Sequence, residues 1–122
     1  MKKFTSFFVL LMLSLSSTFT ARADTVTFKL RSYSPYETHV KFFSSDRRHV
    51  WPSRTRVYVL RDYRVKYMTL RCLWGEKICY GAAVAGDYSR YWGRSLNGLQ
   101  GCYNCCFTCG GGPTRVINLR AH

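Results

Sequence analysis

The sequence predicts an all-β domain, a small antiparallel sandwich or barrel of about seven or eight short strands, stabilised by disulfides. Three observations carry this reading. Short runs rich in Val, Phe, Tyr and Thr alternate apolar and polar residues with a period of two, Gly, Pro, Asn and Asp separate them, and no apolar pattern of helical spacing outlasts two turns.

The elements follow in order. Val26, Phe28 and Leu30 alternate with Thr27, Lys29 and Arg31, the pattern of a half-buried strand. Thr38 to Phe43 forms a second run, closed by Ser44, Ser45 and Asp46. His49 to Trp51 is short and ends at Pro52, whose missing N–H suits an edge or a turn. Thr55 to Leu60 and Val65 to Cys72 come next, then Ile78 to Val84. Gly86-Asp87 and Asn97-Gly98 mark turns around Arg90 to Gly93, and Thr114 to Leu119 supplies a last strand after three glycines and Pro113.

Between the Val65 and Ile78 strands, Gly75-Glu76 has the composition of a hairpin turn with Gly at its first central position. That register sets Cys72 opposite Cys79, with Cα atoms roughly 4.5 to 5.5 Å apart, so a Cys72–Cys79 disulfide is expected. Trp74, beside the turn glycine, is expected to pack on the cysteine face.

The chain has 122 residues, and residues 1–23 read as an export signal. Lys2 and Lys3 precede an apolar run from Phe7 to Leu13, and Ala21-Arg22-Ala23 has the small-x-small form of a cleavage site, with the cut expected before Asp24. The apolar run falls well short of the roughly 20 residues that span a bilayer, no later segment is longer, and no cysteine lies at the cut to take a lipid. A secreted or periplasmic destination follows, where paired cysteines are the default. Residues 24–122 then form one small β domain with a Cys-rich and Gly-rich C-terminal segment, too short for a Rossmann fold or a barrel of eight βα units. Loss of Lys2, Lys3 and Arg22 takes Lys plus Arg from 19 to 16 against 6 acids, a formal +10.

Six cysteines lie in this domain: Cys72, Cys79, Cys102, Cys105, Cys106 and Cys109. The last four form C-x-x-C-C-x-x-C, offsets that would bring four sulfurs to one face of a helix. Disulfides are the expected state, with an adjacent Cys105–Cys106 bond disfavoured by ring strain. A structural zinc site is the sharper alternative, but four thiolates in eight residues lack the two separated knuckles of the usual shell. A redox dithiol is the other, and it lacks a thioredoxin-like βαβ context. No cofactor is expected.

Positive charge concentrates in the middle of the chain, at Arg47, Arg48, Arg54, Arg56, Arg61, Arg64, Lys66 and Arg71, with Asp62 the only acid among them. On a strand, Arg54, Arg56 and Tyr58 would share one face, beside Trp51 and Tyr63. Guanidinium groups hold phosphate, sulfate or carboxylate bidentately, and aromatic rings stack on sugars or bases. The candidate ligand-binding set is therefore Arg47, Arg48, Trp51, Arg54, Arg56, Tyr58, Arg61 and Arg64, with Trp92 as a separate aromatic platform. The bland alternative is a merely solvated basic face, since Arg outnumbers Lys 12 to 4 in the domain, a ratio that coding bias alone can produce.

Catalytic parts are scarce. The histidines are His39, His49 and His122; His39 with Lys41 on one strand face, and His49 across the next turn, are the nearest approach to a ribonuclease-like pair. The acids Asp24, Glu37, Asp46, Asp62, Glu76 and Asp87 are scattered singly, and no nucleophile elbow, zinc-protease helix or phosphate loop occurs. The sequence therefore points to a non-catalytic, exported binding protein for an anionic partner: acidic polysaccharide, lipid headgroup or nucleic acid. A metal or thiol-redox protein centred on the cysteine run, and a cationic toxin or antimicrobial protein, are the alternatives. The sequence sets no oligomeric state.

Overall fold

A computed structural model describes residues 22–121. Most of the expected export signal therefore lies outside the described residues. Nine strands follow one another: β1 (Ala23–Ser32), β2 (Thr38–Ser44), β3 (Val50–Trp51), β4 (Tyr58–Leu60), β5 (Lys66–Leu73), β6 (Lys77–Val84), β7 (Asp87–Gly93), β8 (Cys106–Thr108) and β9 (Val116–Leu119). Among the described residues there is no helix, hence none long and apolar enough to cross a membrane.

Two sheets form a sandwich. The smaller has the order β5-β1-β9, and the larger runs β3-β2-β6-β7, with β4 also on β2 and β8 also on β6. All pairings are antiparallel except β1 with β9, which run parallel from Lys29 opposite Val116 to Ser32 opposite Leu119.

The period-two patterns decide which side chains face the core. Val26, Phe28 and Leu30 of β1 are buried, with Met68, Leu70 and Cys72 of β5 and Ile117 and Leu119 of β9. Val40 and Phe42 of β2 and Ile78 and Ala82 of β6 meet them from the other sheet. Phe28 and Phe42 stack at 4.4 Å between centroids, and Phe107 of β8 meets Phe28 edge-on at 5.4 Å. Each fully buried side chain of this size contributes about 1.5–3 kcal/mol of transfer free energy.

The turn between β5 and β6 departs from expectation. Glu76 N–H donates to Leu73 O at 2.8 Å, so the turn spans Leu73 to Glu76 and Gly75, at φ 83°, is its second central residue. This left-handed second position belongs to a type II turn, whereas the two-residue hairpins that match strand twist need the left-handed residue first. The chain accordingly passes from one sheet to the other, and Cys72 and Cys79 do not face each other.

The disulfides are Cys72–Cys109, Cys79–Cys106 and Cys102–Cys105. The expected Cys72–Cys79 bond is thus corrected. Cys79 does sit opposite a cysteine across a ladder, but that cysteine is Cys106 of β8. Cys72–Cys109 joins the small sheet to the segment after β8. Trp74 is 62% exposed and lies over Gly110, where a Cβ would fall 2.8 Å from the indole.

One further close approach shapes the larger sheet. A Cβ on Gly81 would stand 1.9 Å from Ser95 O, so only glycine lets the segment after β7 fold back over β6.

Candidate functional site

Strands β3 and β4 lie end to end along the same edge of β2: Trp51 faces Phe42, while Tyr58 faces Val40. Residues 52–57 bulge out between them. Three loops therefore present the arginines singled out from sequence along one sheet edge. Arg47 and Arg48 lie in the turn after β2, Arg54 and Arg56 in the bulge, and Arg61 and Arg64 after β4. The seven residues of β2 separate the first loop from the last by about 20 Å.

Local chemistry holds each loop. Ser44 hydroxyl accepts the N–H groups of Asp46 and Arg47 at 3.1 Å, and Asp46 Oδ2 accepts the Lys77 N–H at 2.9 Å. In the bulge, Ser53 hydroxyl accepts from Arg56 N–H at 3.1 Å and Arg54 O accepts from Lys41 Nζ at 2.5 Å. After β4, Arg64 N–H donates to Arg61 O at 3.2 Å across Asp62 and Tyr63, both left-handed.

The six arginines divide by partner. Arg47 is structural: its Nε and Nη2 donate to Glu76 Oε2 and Oε1 at 2.5 and 3.1 Å, and the Glu76 side chain is 2% exposed. Burial pushes the Glu76 carboxyl up, but Arg47, the Ser44 hydroxyl and the Leu73 N–H outweigh it and hold the pKa at about 2. Arg61 is tied to Glu37, at 2.8 Å from Nε and 2.6 Å from Nη2. Glu37 also meets His39 Nε2 at 2.9 Å, and His39 Nδ1 lies 3.1 Å from Tyr88 Oη. These contacts, His39 first and Arg61 second, lower the Glu37 pKa. By contrast, Arg48, Arg54, Arg56 and Arg64 are exposed, and their guanidinium groups have no partner among the described residues.

The aromatic members of the predicted set do not join this row. Arg54 and Arg56 share no strand face with Tyr58, because β4 begins only at Tyr58 and the bulge carries the arginines away from it. The Tyr58 ring packs on Phe42 at 5.6 Å, and its burial raises the hydroxyl pKa. Trp51 is 7% exposed and belongs to the core, its indole N–H donating to Arg71 O at 2.9 Å across to the small sheet. Trp92 lies on β7, three strand spacings or about 14 Å from β4.

Other rings take their place. Tyr63 and Tyr67 are 53% and 65% exposed beside Arg64, where a surface groove of about 530 Å³ runs between Arg61, Arg64, Lys66 and Tyr67. Lys29, opposite Tyr67 in the β1–β5 register, places its ammonium 5.7 Å from that ring. Sequence reasoning missed Tyr67 and Lys29 as site residues. The signal was available in the alternation, since both occupy outward positions of strands whose neighbours point to the core.

The two histidines of the ribonuclease-like pair are not brought together. His39 engages Glu37 and Tyr88 at the start of β2, whereas His49, past its far end, rests against Trp51 at 4.4 Å.

The cysteine run forms no helical face, since residues 102–105 are irregular and Cys106 opens β8. Sulfurs of Cys79, Cys105 and Cys106 lie within 4.8 Å of one another, and Cys105 Sγ is 3.6 Å from Cys106 Sγ. All six cysteines are paired, which leaves no thiolate for a metal in the oxidised protein.

No protein-family model, curated protein or solved structure matches this chain.

Proposed function

We propose that this protein is an exported, disulfide-stapled, non-catalytic binding module whose partner is a linear anionic polymer, an acidic polysaccharide. One observation carries the reading: four exposed guanidinium groups without acidic partners, at Arg48, Arg54, Arg56 and Arg64, distributed along about 20 Å of a single sheet edge. Charges spread in this way engage a polymer at several points, whereas a single small anion would reach only one of them. Tyr63 and Tyr67 at one end of the row offer ring faces for sugar units. The signal-like residues 1–23 and the three disulfides support an extracytoplasmic setting, where acidic glycans are more accessible than nucleic acid.

The test is retention on immobilised heparin as a function of salt. The double variant Arg54→Ser/Arg56→Ser is expected to elute at lower salt, with the log–log salt slope reduced by about 2. A control of equal charge loss, Arg71→Ser/Arg115→Ser, removes arginines from strands of the small sheet and its approach and is expected to elute close to the parent. Equal loss in both variants would mean that only net charge matters, and the edge would no longer be the site.

The proximity of Cys105 to Cys106 favours a second reading, thiol–disulfide chemistry at the cysteine cluster. Alkylation after a brief exposure of the folded protein to a mild external dithiol distinguishes the two, because a redox disulfide opens and is labelled whereas the bridges of a stapled module stay closed.

A further inference from the structure

At the end of the sandwich where β1, β6 and β9 terminate, the two sheets part around a cleft of about 320 Å³. Tyr33, Ser34 and Pro35 wall it on the side where β1 ends, Val84 and Trp92 on the large-sheet side, and Arg90 and Ala121 complete the lining. Neighbouring contacts hold these walls in place. The Trp92 indole N–H donates to Arg120 O at 2.6 Å, which ties β7 to the segment after β9. The Tyr33 ring carries the Arg120 guanidinium at 4.6 Å, and its hydroxyl accepts from Arg31 at 3.1 Å.

This chemistry restricts the occupant. The Trp92 N–H is engaged by Arg120 O, and the residue lines the cleft. Arg90 has a side chain 63% exposed and is held, among the described residues, only by an Asp87 contact at 3.4 Å, so its guanidinium can turn to an incoming anion at small cost. Arg120 adds a second positive charge against the cleft wall. The volume lies at the lower end of the range for small-molecule sites and far exceeds a bare sulfate or phosphate. Aromatic walls with cations at the rim suit a ring-shaped ligand bearing one negative group.

We infer that this cleft seats a single anionic sugar unit, a uronate, with its ring against Trp92 and Tyr33 and its carboxylate on Arg90. The inference rests on the polysaccharide reading and deepens it. The cleft lies at the same end as the Arg61–Arg64 loop, and the exposed rings of Tyr36 and Tyr88 flank the loops at that end. The loop and the cleft are separated by about three strand spacings, roughly 14 Å, so a chain leaving the arginine edge would cross this end of the sandwich to seat its terminal unit in the cleft.

Indole N–H resonances provide the test. The protein has three tryptophans, of which Trp51 is buried and Trp74 lies at the opposite end. Trp74→Phe and Trp92→Phe variants assign the signals. Titration with sodium glucuronate is expected to shift the Trp92 resonance saturably and to leave Trp74 in place, with glucose at least about tenfold weaker. Arg90→Ser is expected to weaken glucuronate about tenfold without changing the response to glucose. Arg71→Ser/Arg115→Ser should leave the glucuronate titration unchanged. Glucuronate that fails to move Trp92, or that acts no better than glucose, would overturn the inference even if heparin retention still depended on the edge arginines. A saturable Trp92 shift in a protein whose heparin retention ignores those arginines would uphold the cleft and overturn the edge.

Discussion

The Arg47–Glu76 pair is where a charge inside this small domain is stabilised instead of penalised. Glu76 accepts from Arg47, Ser44 and the Leu73 N–H, so one carboxylate closes the β5–β6 turn and fixes the loop after β2. Its folded pKa of about 2 lies below the unfolded value of about 4.3. Stability from this group is therefore complete above about pH 4.3 and is lost as pH falls through about 2, an amount of roughly 3 kcal/mol. Glu76→Gln is expected to cost about 2–3 kcal/mol at pH 7 and almost nothing at pH 2, as measured by urea unfolding at both values. A deficit of equal size at both pH values would assign the loss to packing instead of charge. The residue scale was also the least legible in sequence. The run of arginines named the basic residues, but an arginine bound to a buried glutamate and one open to solvent read alike until the fold pairs them. Trp51 and Tyr58 turn inward for the same reason: a ring on a sheet edge can turn either way, and here Trp51 joins the core and Tyr58 packs against it.

Among the elements, strand existence was well encoded and strand partnership was not. Every alternating apolar run became a strand, because burying one face of a pleated segment requires that alternation. The bulge at 52–57 shortened the expected Thr55 strand, and Cys106–Thr108 formed a strand that no period announces, three residues being too few. The β5–β6 turn shows why partnership fails. Shifting Gly75 by one position within the turn changes a hairpin into a corner between sheets, and with it the partners of Cys72 and Cys79. The resulting bridges differ in what they constrain, with 37 residues separating Cys72 from Cys109 and 3 separating Cys102 from Cys105. On loop-closure grounds, Cys72→Ser/Cys109→Ser is expected to lose about 4 kcal/mol and Cys102→Ser/Cys105→Ser about 2. Denaturant titrations of the two double variants check the order, and a larger loss from the short loop would show that the entropy of the unfolded chain does not govern what each bridge contributes.

Across the whole molecule, the staples and the tyrosine-rich loops lie at opposite ends, and the arginine row runs between them, with Arg47 bound to Glu76 at the stapled end. Cys72–Cys109 and Cys79–Cys106 secure the end carrying the β5–β6 turn, while the tyrosine-rich loops and the cleft occupy the other. An arginine row about 20 Å long sets a length scale for its partner. Size-fractionated acidic oligosaccharides measured by calorimetry are expected to bind more tightly with length until they span about 20 Å, and to level off beyond it. Affinity independent of length would indicate a single-point contact. The all-β class and the basic surface were legible from composition and period alone, whereas the cleft was not, since Tyr33, Arg90, Trp92 and Ala121 come from three distant parts of the chain.

The order of cysteines along the chain bears on how the protein matures. Under the export reading, a polypeptide emerging N-terminus first delivers Cys72 and Cys79 to the oxidising side before any of their native partners. Seven residues apart, these two can bond at once, and that bond is foreign to the finished fold. Cys106, 27 residues after Cys79, then attacks that bond at Cys79, which forms Cys79–Cys106 and releases the Cys72 thiolate, and the compartment's oxidant joins Cys72 to Cys109, 37 residues away. Under that reading, a catalyst of disulfide reshuffling is expected to raise the yield of native bridges, and a host that only oxidises to retain more of the mispaired form.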